Sequence, residues 1–263
     1  MTIPRVLVIA GSDSGGGAGI QADIKTVMAL GGHAATAITA ITAQNTLGVT
    51  RVLVLDPALV VAQIDAVLGD IGADAIKIGM IGSAAIAAAV ADRLTAPDAR
   101  MPIVFDPVMI ATSGAPLADP ATIAAFERLM AMAAVITPNL PELALLAGVA
   151  PFDPAGAALA LARRTGANVL AKGGHGDGAE LIDLLVGADG IRQTWHGTRI
   201  DSTHTHGTGC TLASGIATGL AAGLPIEAAI IRARDLVRAA ILAAPGLGAG
   251  HGPLGHAAVR AAF

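Results

Sequence analysis

The chain has 263 residues, of which 54% are hydrophobic and 14% charged, with a net charge of −4, one Cys, four Phe, one Trp and no Tyr. An acidic chain without a Lys/Arg cluster and with few aromatics to stack bases argues against nucleic acid as the main partner, and a single cysteine excludes a disulfide framework or a Cys-based zinc site and suits a reducing cytoplasm. Mean hydropathy is +0.68, yet the longest uncharged windows, Thr26–Thr50 and Ser202–Ile226, carry Gly with His, Asn, Gln or Thr and are too polar for a lipid span of about 20 apolar residues. The N-terminal stretch MTIPRVLVIAGSDSGGG has too short an apolar run for a signal peptide. Apolar or β-branched runs then predict strands at VLVIA (6–10), HAATAITA (33–40), VTRVLVLD (49–56), DAIKIG (74–79), PIVFD (102–106), AVIT (134–137) and NVLAK (168–172), with further strand-like pieces at 181–186 and 190–196. Amphipathic segments such as IQADIKTVMAL and ALVVAQIDAVLGDI lie between them. At Asp56-Pro57, Asp119-Pro120 and Asp153-Pro154 the pairing predicts an N-cap carboxylate followed by proline at the first helical position. Buried strands alternating with helices predict one α/β domain over 1–263, a mostly parallel sheet covered on both faces. Ligands gather at the carboxyl ends of such strands.

Most of the unusual residues fall just after those strands. The first loop, AGSDSGGGAGIQAD, lacks the third glycine of a dinucleotide fingerprint and the Lys-Ser/Thr of a Walker loop. It reads either as a glycine turn or as a place where backbone approaches a ligand closely, and Asp23 either as a surface residue or as facing that ligand. Gln44 and Asn45 in ITAQNT offer amide donor and acceptor together, which suits an aminopyrimidine or pyridine edge, although spacing alone favours a loop-capping amide. Asp106 ends PIVFD and precedes VMIATSG, which is no clear amphipathic helix; a strand-end carboxylate there is a candidate for Mg²⁺ held through water. Asn139 and Glu142 in TPNLPE read as a capping box or as organisers of a hydrated metal. Lys172 ends a strand before GGHGDG, and a phosphate partner is favoured over a structural ion pair.

Near the C-terminus, Gly207-Thr208-Gly209-Cys210 precedes TLASGIATGLAAG, where Gly215, Gly219 and Gly223 recur every four residues and predict close helix packing. The glycine turn frees N–H groups at the positive end of a helix, a ready anion site. A thiol there is expected to titrate below the free value of about 8.5, which makes Cys210 a candidate reactive thiol facing an anion.

AGSDSGGGAGIQADIKT, ITAQNT, KIGMIGS, FDPVMIATSG, ITPNLPE, KGGH and THGTGCT, in this order over nearly the whole chain, resemble the bifunctional hydroxymethylpyrimidine/phosphomethylpyrimidine kinases of thiamine biosynthesis, in the ribokinase-like superfamily. The resemblance implies a central mostly parallel β-sheet flanked by helices on both faces, a homodimer, and ATP with Mg²⁺ phosphorylating the pyrimidine alcohol and then its monophosphate. By position, Gln44 would bind the pyrimidine edge, with Gly11, Asp23, Met80 and Val108 lining that pocket. Asp106, Asn139 and Glu142 would organise metal and phosphates, and Lys172 would neutralise charge on the transferred group. The amides of Gly207, Thr208 and Gly209 would form an anion hole, and Cys210 stands where many sugar kinases carry an aspartate base. The chain has His204-Thr205 where the family often has Asn-Thr, so no role carries over for that asparagine. Two alternatives share these residues: a pyridoxal kinase of the same subfamily, and a catalytically silent pyrimidine-binding module.

Overall fold

The computed structural model describes residues 2–111, 114, 116–148, 153–175, 178 and 180–259. Thr112 and Ser113 of the VMIATSG stretch, and Gly176 and Asp177 after Lys172, lie outside the described residues. Each predicted run forms a strand: β1 (Arg5–Asp13), β2 (His33–Asn45), β3 (Gly48–Val54), β4 (Ala75–Ile78), β5 (Ile103–Phe105), β6 (Val135–Ile136), β7 (Asn168–Ala171), β8 (Glu180–Gly187) and β9 (Gly190–Thr198). They join in one sheet of order β3-β2-β1-β4-β5-β6-β7-β8-β9. From β2 to β7 neighbours run parallel, while β3, β8 and β9 pair antiparallel at the two edges.

Eight helices cover the sheet: α1 (Gly19–Ala29), α2 (Pro57–Ala66), α3 (Ala84–Arg93), α4 (Pro120–Met132), α5 (Leu140–Ala147), α6 (Pro154–Thr165), α7 (Thr208–Ala221) and α8 (Ile226–Leu242), counted among the described residues. The alternation along β1 sorts its side chains to two cores. Leu7 and Ile9 join the core under α2 to α6, and Val6, Val8 and Ala10 join the core under α1, α7 and α8. This is the ribokinase-like arrangement of a mostly parallel sheet with helices on both faces. Among the described residues, no helix is long and apolar enough to cross a membrane.

The three Asp-Pro joins behave as predicted. Asp56, Asp119 and Asp153 each accept backbone N–H bonds at the start of α2, α4 and α6, with proline in the first turn. The glycine stripe needs one correction. A Cβ on Gly215 or Gly219 would lie 2.8 or 2.7 Å from the Cβ of Ala233 or Ala229 on α8, so α7 and α8 touch there through glycine. Gly223 lies beyond the end of α7 at φ +81° with open space around its Cβ position, so it turns the chain and packs against nothing.

The strand order reverses around β1, between β2 and β4, which opens a crevice at their carboxyl ends. The residues after β1, β4, β5 and β7 face it together with the start of α7.

Candidate active site

A cavity of about 1220 Å³ occupies this crevice. Gly11, Gln44, Met80 and Val108 line one part of it. Asp106, Asn139, Glu142 and Lys172 line another, next to the Gly207–Cys210 turn. Asp23 is the exception: it is fully buried behind the wall and does not line the cavity. Both ammonium–oxygen distances from Lys77 on β4 to its carboxylate are 2.9 Å, and Ser214 Oγ donates to it at 2.6 Å. Asp23 is therefore neither a surface nor a pocket residue. It ties α1 to β4 and α7, and it holds Lys77, whose side chain borders the cavity. Burial raises the Asp23 pKa, and the same carboxylate overcomes the desolvation of Lys77 and holds that ammonium above the ordinary lysine range.

Asp106 follows β5 and Lys172 follows β7, which puts two opposite charges at neighbouring strand ends. Lys172 Nζ donates to Asp106 Oδ1 at 3.0 Å, and Thr137 Oγ1 donates to the same oxygen at 2.8 Å. The ion pair that the sequence disfavoured is present. Burial acts against the charge on each. For Asp106 the ammonium groups of Lys172 and Lys77 outweigh it and lower the carboxyl pKa; for Lys172 the Asp106 and Glu142 carboxylates outweigh it and raise the ammonium pKa.

Asn139 and Glu142 form the capping box of α5. Asn139 Oδ1 accepts from the Glu142 N–H, and Glu142 Oε2 accepts from the Asn139 N–H, both at 2.9 Å. Both residues also border the cavity, so the cap does not remove them from the site. Burial pushes the Glu142 carboxyl up to about 7, against the pull of Lys172. Among the described residues no group of three or more His, Cys, Asp or Glu side chains is arranged to hold a metal.

The turn before α7 needs glycine for a plain reason. Gly207 has φ +86°, and a Cβ there would strike the Gly17 carbonyl oxygen of the first glycine loop. The Thr208 N–H turns back to the Thr205 carbonyl at 3.3 Å, so Thr208 contributes less to an anion hole than expected. Gly209 and Cys210 carry the following first-turn amides, which have no partner within an α-helix. A Cβ on Gly209 would sit 3.4 Å from Lys172 Nζ and 3.5 Å from Asp106 Oδ2, which sets the helix mouth directly against the ion pair.

The expected low pKa of Cys210 is not found. Burial pushes the thiol up to about 11; the Lys77 ammonium and the Gly19 N–H pull it down, but the carboxylates of Asp23 and Asp106 push the other way. At neutral pH the side chain is a thiol. The helix N-terminus is real, but two nearby carboxylates and desolvation exceed it.

Three residues at the site were not singled out from sequence: Lys77, Asp13 and His206. Asp13 ends β1, and its carboxylate accepts from the N–H groups of Gly15, Gly17 and Ala18 at 2.8, 3.0 and 2.8 Å. His206 Nε2 lies 2.9 Å from Asp13 Oδ2 and 3.0 Å from the Gln44 carboxamide. A lysine inside the strand run DAIKIG and an aspartate inside a glycine loop were the available signals. His204, where the sequence departs from the family pattern, does not line the cavity. It packs against Gly252, and its buried Nδ1 has no hydrogen-bond partner among the described residues.

Gln44 also differs from expectation. β2 continues to Asn45 and pairs Gln44 with Val49 of β3, so Gln44 lies on a strand and not in a loop. Asn45 is the capping amide, accepting from the Leu47 and Gly48 N–H groups at 2.9 and 3.3 Å.

Residues 13–255 match the family model described as phosphomethylpyrimidine kinase. The chain is 49% identical to a hydroxymethylpyrimidine/phosphomethylpyrimidine kinase of Rhizobium meliloti over 95% of this chain and 96% of that one. It is 47% identical to the thiamine biosynthesis bifunctional protein ThiED of Geobacter sulfurreducens over 95% of this chain, and spans about half, 52%, of that longer relative. Among solved structures, an ADP complex of Bacillus subtilis pyridoxal kinase superposes with a TM-score of 0.87 at 31% identity, over 98% of this chain and 99% of that one. The chain belongs to the phosphomethylpyrimidine kinase family.

Proposed function

We propose that the protein transfers the γ-phosphoryl group of ATP, with Mg²⁺, to the hydroxymethyl group of 4-amino-5-hydroxymethyl-2-methylpyrimidine and then to the resulting monophosphate, in thiamine biosynthesis. One observation carries the reading: the Asp106–Lys172 pair meets the amides of Gly209 and Cys210 in a cavity whose other part holds the Gln44 amide. Charge for phosphates and a planar polar edge for a heterocycle thus share one space. Its volume of about 1220 Å³ exceeds the roughly 300–1,000 Å³ of a single-ligand pocket and suits a nucleotide beside a small ring.

Mg²⁺ is usually bound through one or two carboxylates, with waters and substrate phosphates completing its shell. Asp106 and Glu142 fit that pattern, because Asp106 Oδ2 lies on the side of the helix mouth and Glu142 borders the same space. They would hold the ion, which supplies charge neutralisation on the nucleotide phosphates. Asn139 positions Glu142 through the capping box. Phosphoryl transfer depends mainly on positioning and on charge opposite the moving group. Lys172 and the α7 amides supply that charge. Cys210, in the first turn of α7 and protonated at neutral pH, orients the acceptor hydroxyl, whose proton passes, late in a loose transition state, to an oxygen of the transferred phosphoryl group. In the second step the acceptor is already an anion and has no proton to lose.

A pyridoxal reading is favoured by the superposition on the Bacillus subtilis enzyme, but the 31% identity there falls below the 47–49% shared with the thiamine-pathway relatives. We infer one domain over 1–263, acting in the cytoplasm on small molecules and not on nucleic acid or membrane. A homodimer is supported by the apolar edge around β3, where Leu47, Leu53 and Ile41 are 70%, 59% and 47% exposed. Measuring ADP release with hydroxymethylpyrimidine, its monophosphate and pyridoxal in parallel tests the proposal. Phosphorylated pyrimidine in both steps is expected; pyridoxal phosphate alone, or no acceptor-dependent ADP, would refute it.

A further inference from the structure

The hydrogen bonds around His206 fix more than the position of a ring. Asp13 accepts three backbone N–H bonds and the His206 Nε2 contact, so it acts there as a carboxylate, which can only accept. His206 Nε2 must therefore carry the proton and donate. The ring has little room to turn, since a Cβ on Gly17 would strike His206 Cδ2 and the residue is 7% exposed.

The same Nε2 lies 3.0 Å from the Gln44 amide atom assigned as Nε2, while the atom assigned as Oε1 faces Thr42. The two ends of a carboxamide are told apart only by their partners, and here those partners call for the reverse assignment. His206 Nε2–H has one proton, directed to Asp13 and shared with Gln44 at most as a three-centre bond, and no acceptor lone pair. The group facing it must therefore accept, and in a carboxamide that group is the oxygen, whose identity is assigned from the partners. Thr42 supplies an independent check. Its hydroxyl has one proton, which goes to the Ser12 carbonyl at 2.9 Å. The other end of the Gln44 amide, 3.3 Å from Thr42 Oγ1, then meets an acceptor and must be the NH₂ group. Ser14 meanwhile pins the Gln44 backbone, accepting from its N–H at 2.8 Å and donating to its carbonyl at 2.7 Å. Only the carboxamide could turn, and two partners oppose its turning.

We propose that His206, held as an Nε2–H donor by Asp13, is a specificity-determining residue that locks the Gln44 carboxamide with its oxygen toward His206 and its NH₂ toward Thr42. The site then accepts a ring edge with its donor on the His206 side and its acceptor on the Thr42 side. A 4-amino group beside a ring nitrogen has that order, and a 4-oxo group beside a ring N–H has the reverse. His206 immediately precedes the Gly207–Cys210 turn, so this order also sets the substituent next to the amino group, the hydroxymethyl, toward the helix mouth. Asp13 and His206 position; Gln44 contacts the ligand. This specificity rests on the proposed pyrimidine reading, whereas the amide orientation does not.

Two measurements test it. In the ¹⁵N-labelled, ligand-free protein, NMR should show a proton on His206 Nε2 and Overhauser contacts from the Gln44 amide protons to Thr42 and not to the His206 ring. Amide protons beside the His206 ring would overturn the proposal even if no pyrimidine is ever phosphorylated. The second compares kcat/KM for the 4-amino substrate and its 4-oxo analogue. Wild type should reject the analogue by roughly 10⁴-fold, as sites built on paired hydrogen bonds do. His206→Gln, whose amide can donate or accept, should shrink that ratio by about tenfold, the worth of one hydrogen bond. Thr42→Val, which keeps His206, should shrink it less. If His206→Gln lowers both substrates alike and leaves the ratio unchanged, His206 merely packs and the proposal fails.

Discussion

The molecule has two glycine turns that each open a helix and touch one another, and they have opposite electrical states. After β1, the N–H groups of Gly15, Gly17 and Ala18 all point at the Asp13 carboxylate, and the Gly16 N–H at the Asp13 carbonyl. The loop carries its own anion. Before α7, the amides of Gly209 and Cys210 stand beside the Lys172–Asp106 pair, and among the described residues neither of them donates to a carboxylate. A glycine-rich loop at a helix start is therefore an anion site only if the chain has not filled it already. In this protein the second turn meets that condition and the first does not.

The largest expected effect comes from releasing the link behind both turns. Asp23 on α1 and Ser214 on α7 share a hydrogen bond, and Asp23 holds the fully buried Lys77. Removing one partner of a buried ion pair costs about 3–5 kcal/mol. Asp23→Asn should therefore lower the unfolding free energy, read from denaturant unfolding, by that much, and a change within about 0.5 kcal/mol, the range of surface substitutions, would show that the pair does not join the turns. Next comes Lys172→Ala, which removes charge only at the open turn. It should lower kcat by about 10²–10³-fold, the usual effect of losing one transition-state donor, with a smaller change in pyrimidine KM. Equal turnover would remove Lys172 from the mechanism.

Emptying the closed turn should act on stability. Asp13→Asn weakens charge-assisted bonds worth about 1.5–3 kcal/mol each to the native state and should destabilise by roughly that amount. Burial opposes the Asp13 charge, but His206 and the Ala18 and Gly15 N–H groups outweigh it, so its folded pKa lies below 3.8. A lowered folded pKa gives stability that is present above the unfolded value and is lost as pH falls through the folded one. The wild type should thus lose stability below about pH 4, and Asp13→Asn should show a flatter acid limb. Parallel limbs would contradict the filled loop.

The smallest effect is at Cys210. With the thiol pushed up to about 11, alkylation at pH 8 should run roughly 10²-fold slower than for a free thiol of pKa about 8.5. Cys210→Ala should slow the first phosphorylation by about tenfold, one positioning hydrogen bond, and leave the second nearly unchanged. Fast alkylation would show the thiolate expected from the helix mouth, and equal losses in both steps would reduce Cys210 to packing.

What the sequence made legible was what depends on near neighbours. The strand runs and the Asp-Pro caps are local patterns, and all appear. Gln44, Asp106 and Lys172 lie at strand ends, so parallel topology alone brings them to one crevice. Asp23 was placed wrongly because its partner is 54 residues away on β4, at a position that reads as one more residue of a buried strand. The Cys210 pKa was misjudged because the helix mouth is visible in the sequence, while the burial of the thiol, and after it the carboxylates of Asp23 and Asp106, arise only through the fold. Asp13 reads as one more residue of a glycine turn until its carboxylate is seen to organise that turn.

The contrast between the two turns is tested most directly by following backbone amide shifts during titration with a non-hydrolysable ATP analogue and Mg²⁺. The account predicts that Gly209 and Cys210 move strongly and saturate together, while Gly15 and Gly17, held on Asp13, stay nearly still. Large saturable shifts at Gly15 and Gly17 with none at Gly209 and Cys210 would contradict it.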